Sequence, residues 1–80
     1  MELDIWDDFL TIQFEEHEVF SRKKAHVKGE IIPSGFLMYK KSMRWIEPDE
    51  EEVCESQKAK LARFIIDEGK NQDLRIELET

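Results

Sequence analysis

Residues 54–69, CESQKAKLARFIIDEG, and residues 74–79, LRIELE, decide the fold. In the first, Leu61, Phe64 and Ile65 share one face, with Glu68 continuing the row and Lys58 at its upper edge. Ala62 and Ile66 widen the apolar stripe. That period of 3.6 predicts a helix within about 55–68, apolar on one side and packed on a sheet. Gly69 follows the last periodic residue and is expected to end the helix as a C-terminal cap at positive φ. Acids at 49–55 suit the positive end of the helix dipole. The N-cap has three candidates: Asp49 paired with Glu52, Cys54 with Gln57, and Ser56. In the second stretch Leu74, Ile76 and Leu78 alternate with Arg75, Glu77 and Glu79. This is a strand with one dry face and one charged face, which discourages edge-to-edge aggregation. Asn71, Gln72 and Asp73 form the turn between them.

Upstream the period is two. Leu10, Ile12 and Phe14 alternate with Thr11, Gln13 and Glu15, the pattern of a half-buried antiparallel strand. Ile5 and Trp6 precede it and are expected to pack against the same core. A turn is placed near 15–17, followed by a short strand through Val19 and Phe20. From His26 to Ile32, Val27, Gly29 and Ile31 alternate with Lys28, Glu30 and Ile32. Gly29 removes a side chain from the inner face, which marks either a bulge or a ring packed over bare backbone. Pro33, Ser34 and Gly35 form a turn, proline fixing φ and glycine tolerating φ above zero. Phe36 to Lys41 is a strand with two apolar faces, and the apolar character continues through Met43, Trp45 and Ile46. Pro48 ends that region. Residues 49–52 read as solvated linker or a first helical turn.

The order β-β-β-β-α-β predicts an α+β domain, a mainly antiparallel sheet of four or five strands with the helix on one face. Eighty residues make a single domain, 1–80, with a small core. One cysteine excludes an internal disulfide framework and a Cys-rich zinc site, and fits a reducing, cytoplasmic setting. The acidic start lacks the basic and apolar segments of a secretory signal. The longest apolar run, Phe36 to Tyr39, is far short of the roughly 20 residues that span a bilayer. Neither export nor membrane attachment is expected.

Charge is laid out in blocks. Residues 1–20 carry seven acids and no Lys or Arg, residues 21–46 seven bases and one acid, and residues 47–55 six acids. The remainder is balanced, and the net charge is −7. Blocks of this kind serve association with a charged partner.

Reactive side chains are sparse. His17 lies among Glu15, Glu16 and Glu18 and reads as an exposed turn histidine. His26 reads as a surface or cross-strand residue. The two are nine positions apart, with no third ligand at metal-binding spacing. Cys54 reads as a plain helix-start thiol, its acidic neighbours disfavouring the thiolate. No glycine-rich phosphate loop is present. The residues therefore point to no catalytic, cofactor-binding or metal site.

Arg22, Lys23, Lys24, Lys28, Lys40, Lys41 and Arg44 are interleaved with Phe20, Phe36, Tyr39 and Trp45. Basic residues among aromatic platforms can hold single-stranded nucleic acid, but the overall charge of −7 opposes it. The acidic segments admit a different use, covering a basic surface of a protein partner. Asp49, Glu50, Glu51, Glu52 and Glu55 are the first candidates; Glu15, Glu16 and Glu18, with Asp4, Asp7 and Asp8, form a second patch.

One pattern is more specific. Gly29-Glu30, then Phe36, Tyr39, Ser42, Trp45 and Pro48 at intervals of three, resembles a small family of bacterial immunity proteins. Those proteins accompany polymorphic toxins in competition between neighbouring cells. The resemblance continues through Val53 and Cys54, where the cysteine departs from the small polar residue expected, into the helix around Leu61 and Ile65. It covers residues 29–66. It implies a small cytoplasmic protein that binds and neutralises a cognate toxin domain, without catalysis or cofactor. Gly29, Tyr39, Trp45, Pro48, Leu61 and Ile65 are assigned structural roles, with Trp45 and Pro48 sealing the core where the chain crosses to the helix. The alternatives are a nucleic-acid-binding module using the basic central strands, and a phage or scaffold accessory protein. Nothing in the chain fixes an oligomeric state.

Overall fold

A computed structural model describes residues 1–79. The strands are β1 (Glu2–Ile5), β2 (Phe9–Gln13), β3 (Lys24–Ile32), β4 (Gly35–Tyr39), β5 (Arg44–Glu47), β6 (Glu51–Glu52) and β7 (Ile76–Glu79). One helix, α1, runs from Glu55 to Asn71. The α+β class and the helix lying on one face of the sheet are as read from the sequence. Two short strands that carry little periodic signal, β1 and β6, enlarge the sheet.

The long strand β3 organises the sheet. On one side its first half pairs antiparallel with β2, which in turn pairs with β1. On the other side its second half pairs with β4 and its first half with β5. A 3-10 turn, Lys40–Ser42, separates those two partners. Ser42 fills the gap: its Oγ accepts the Lys28 N–H at 2.8 Å and donates to the Tyr39 carbonyl at 2.7 Å. The strand expected over 36–41 therefore stops at Tyr39. The residues read as linker, 49–52, instead contribute β6, paired with β5. The last strand, β7, lies parallel to β4, with Phe36 opposite Ile76. A parallel pair needs a crossover, and α1 supplies it.

Most of the periodic apolar residues of the strands and the helix point inward. Leu10, Ile12, Phe14, Val27, Met38, Leu61 and Ile65 are fully buried, and Trp45 is nearly so. Phe64, Ile66, Leu74 and Leu78 pack at the margin. Trp45, Leu61 and Ile65, assigned structural roles from the sequence, lie in this core. Pro48 follows β5 at the surface, its peptide with Glu47 cis.

Several local expectations give way. No strand forms at Val19 and Phe20. The segment between β2 and β3 is a loop, closed by Phe14 N–H to the Lys23 carbonyl and Arg22 N–H to the Glu15 carbonyl. Arg22 turns it at φ 59°. Phe20 is buried all the same, its ring centroid 5.0 Å from that of Trp45. Trp6, expected in the core, is 47% exposed. Ile31, expected on the inner face, is 60% exposed near the hairpin tip at Pro33 and Ser34.

Helix α1 also ends differently. It runs past Gly69, and the left-handed residue is Asp73, at φ 57°. Leu74 N–H bonds the Gly69 carbonyl and Asp73 N–H the Lys70 carbonyl. That is the paired closure of a Schellman motif with aspartate in glycine's usual place. Gly69 serves packing instead: a Cβ there would stand 2.8 Å from Ile76 Cδ1. At the other end Cys54 is the N-cap, without a side-chain capping bond. Gly35 does fill its expected role, with φ at 151° against the Arg75 carbonyl.

Candidate interaction surface

Because α1 covers one face of the sheet, side chains of opposite parity project from the other. Phe9 falls out of phase with Leu10, Ile12 and Phe14, and so does His26 with Ala25 and Val27. The two meet on this open face, ring centroids 4.6 Å apart and nearly parallel. Trp6, in the β1–β2 turn, stacks on the far side of Phe9 at 4.7 Å. Three flat rings thus form one continuous stack. Beside it a groove of about 380 Å³ is lined by Asp8, Phe9, His26, Lys28, Gly29 and Tyr39. A smaller one of about 150 Å³ is lined by Lys28, Lys41, Ser42, Met43, Arg44 and Glu52. Lys28 belongs to both.

Burial, aided by Lys28 and Arg44 and opposed by Asp8, holds His26 below its ordinary pKa. The ring is therefore a neutral stacking platform near pH 7. Desolvation and the neighbouring Glu30 push the Tyr39 phenol above its usual value. Tyr39, read as structural, is half-buried and also walls the larger groove.

The acidic candidates are all exposed. Asp49, Glu50, Glu51 and Glu52 lie in the β5–β6 hairpin, where Glu52 faces Arg44 across the strands. Glu55 opens α1 and bonds Lys58 at 3.0 Å. Glu15, Glu16 and Glu18 lie in the β2–β3 loop. The candidates thus form two groups on different elements. The basic stretch is likewise divided: Lys23 stands over the Trp45 ring at 4.8 Å, while Lys28, Lys41 and Arg44 line the second groove.

The nucleophilic and imidazole groups do not converge. His17 is a packing residue on the helix-covered side: its ring meets Phe64 edge-on at 4.6 Å, and its Nδ1 accepts the N–H groups of Val19 and Phe20. His26 is on the opposite face. Cys54 is exposed, and the Ser56 hydroxyl 3.3 Å from its Sγ lowers the thiol pKa, outweighing the opposing effect of desolvation. Among the described residues no group of three or more His, Cys, Asp or Glu is placed to hold a metal. Nor is any helix among them long and apolar enough to cross a membrane.

The model of one protein family, Immunity protein 74, matches residues 12–79. The chain belongs to that family. As an immunity protein it is non-catalytic and neutralises a bacterial toxin. No curated protein and no solved structure matches the chain. The match runs from β2 through β7, well beyond the central stretch 29–66 whose residues carry the resemblance. Several residues of that stretch now have structural explanations. Gly29 admits the Phe36 ring, Ser42 bridges the gap in the sheet, and Trp45 is buried. They report how this immunity protein folds. The aromatic stack on the open face was missed because Trp6 and Phe9 precede that stretch. The signal present was the phase of Phe9, one position off the buried row.

Proposed function

We propose that this immunity protein acts in the cytoplasm, seated directly on its cognate toxin domain, and that its carboxylates draw in a basic surface of that toxin. Asp49, Glu50, Glu51, Glu52 and Glu55 form the leading edge, with Glu15, Glu16 and Glu18 as a second patch. The partner is a protein rather than a nucleic acid or a membrane. The observation that carries this reading is β6 itself: a two-residue edge strand, both residues exposed glutamates, held in register against β5. A strand fixes the direction in which its carboxylates point, and complementary charge accelerates encounter.

The experiment is a kinetic one. The cognate toxin domain, inactivated for expression, is titrated against the protein at several salt concentrations. Changing Glu50, Glu51 and Glu52 together to Lys is expected to slow association and leave the circular dichroism spectrum unchanged. An unaltered association rate removes the hairpin from the contact.

A further inference from the structure

We propose that the open sheet face anchors the toxin contact: the groove walled by Phe9, His26 and Tyr39 takes an apolar or aromatic side chain of the partner, and the adjoining groove of Lys28, Lys41 and Arg44 takes a carboxylate next to it. This rests on the reading that the protein seats directly on its toxin.

Three observations support it. The first is the ring stack. Trp6 is 47% exposed and held against Phe9, with an interplanar angle of 13°, and Phe9 is held against His26 at 16°. Rigid, half-exposed aromatics lose little conformational freedom on binding, and Trp, Tyr and Arg dominate the energetic centres of protein interfaces. By strand register and the ring stack, Trp6, Tyr39 and Arg44 lie on the one face that the helix leaves bare.

The second is charge. Lys28, Lys41 and Arg44 converge on the smaller groove against a single acid, Glu52. Among the described residues the ion pairs are Lys58 with Glu55 and Arg75 with Glu77, so these three cations have none. In a molecule of net charge −7, this is a local site for an anionic group. Because Lys28 lines both grooves, the anion and the apolar anchor must be neighbours on the partner.

The third is continuity. Glu52 belongs to the acidic hairpin and also lines the second groove. The carboxylates that guide approach and the aromatics that hold the partner therefore border one another. Guidance appears in the association rate and anchoring in the dissociation rate.

The test uses the full chain and the same inactivated toxin domain, with Trp6→Ala, His26→Ala and Lys28→Glu measured by surface-based kinetics. Each is expected to weaken binding roughly tenfold or more, mainly through faster dissociation. Lys28 is exposed, so Lys28→Glu remains decisive if either ring substitution lowers the melting temperature. Folded variants that bind as tightly as the native protein overturn this inference and leave direct seating intact. A native protein that does not bind the toxin overturns both. Tight, salt-sensitive binding of a single-stranded oligonucleotide that Trp6→Ala abolishes overturns the protein occupant in favour of nucleic acid.

Discussion

The ring of Phe36 lies across the bare backbone of Gly29. A Cβ on Gly29 would stand 2.6 Å from Phe36 Cε2 and would also strike the Leu37 carbonyl. Two neighbouring strands thus approach closely because one residue has no side chain, and Phe36 is 1% exposed as a result. Gly29→Ala is expected to cost about 1–3 kcal/mol, read from urea melts. Shortening Phe36 to Leu in the same chain should not restore it, because the Leu37 carbonyl still blocks the site.

Ser42 takes the place of a strand partner for Lys28. Ser42→Ala removes an acceptor for one N–H and a donor for one carbonyl. Lys28 is exposed, so water replaces part of the loss. The expected cost is about 1 kcal/mol. Hydrogen exchange should show the Lys28 amide losing protection more than its neighbours do.

His17 holds the β2–β3 loop by two means, ring packing on Phe64 and acceptance of two backbone N–H groups. His17→Ala loses both and should cost about 1–2 kcal/mol. His17→Asn keeps a short side-chain acceptor for a local turn, and should recover part of that loss. Equal melting curves for the two variants would assign the whole effect to the ring.

Asp73 adopts the left-handed conformation at the end of α1. That region is strained for residues with a Cβ and free for glycine. Asp73 is exposed, and its N–H bond to the Lys70 carbonyl is retained by any residue but proline. Asp73→Gly should therefore stabilise the protein by about 0.5–1 kcal/mol, measured as a shift in denaturation midpoint at unchanged slope.

His26 links stability to pH. Burial first, then Lys28 and Arg44, depress its folded pKa, with Asp8 acting the other way. The unfolded chain then takes up its proton at higher pH than the folded one. The contribution is fully present above about pH 6.5, the ordinary imidazole value, and is lost as pH falls through the depressed folded value. His26→Gln should flatten the fall in stability between about pH 7 and pH 5, compared by parallel urea melts.

Much of this architecture was legible as periodicity. The helix over 55–68 and the strands through 10–14, 26–32 and 74–78 were marked by apolar residues at 3.6 or 2.0 spacing, because each buries one side only. Elements without that asymmetry were hidden. Glu51 and Glu52 form a strand through backbone pairing alone. The parallel register of β7 against β4 depends on where α1 returns the chain, which no local pattern encodes. Gly69 resembled a cap because its neighbours end the apolar row, yet tight packing on Ile76 explains it. The family was legible at Gly29, Tyr39, Ser42, Trp45 and Pro48. The open face was not, because an exposed Trp6 and a buried one read alike in sequence.

The helix covers only one side of the sheet, so the buried core and the proposed recognition face are built from different sets of side chains. Substitutions at Trp6, His26 or Lys28 leave the buried row from Leu10 to Ile65 untouched. A lineage whose toxin drifts can therefore retune its antidote one outward position at a time, without passing through an unfolded ancestor.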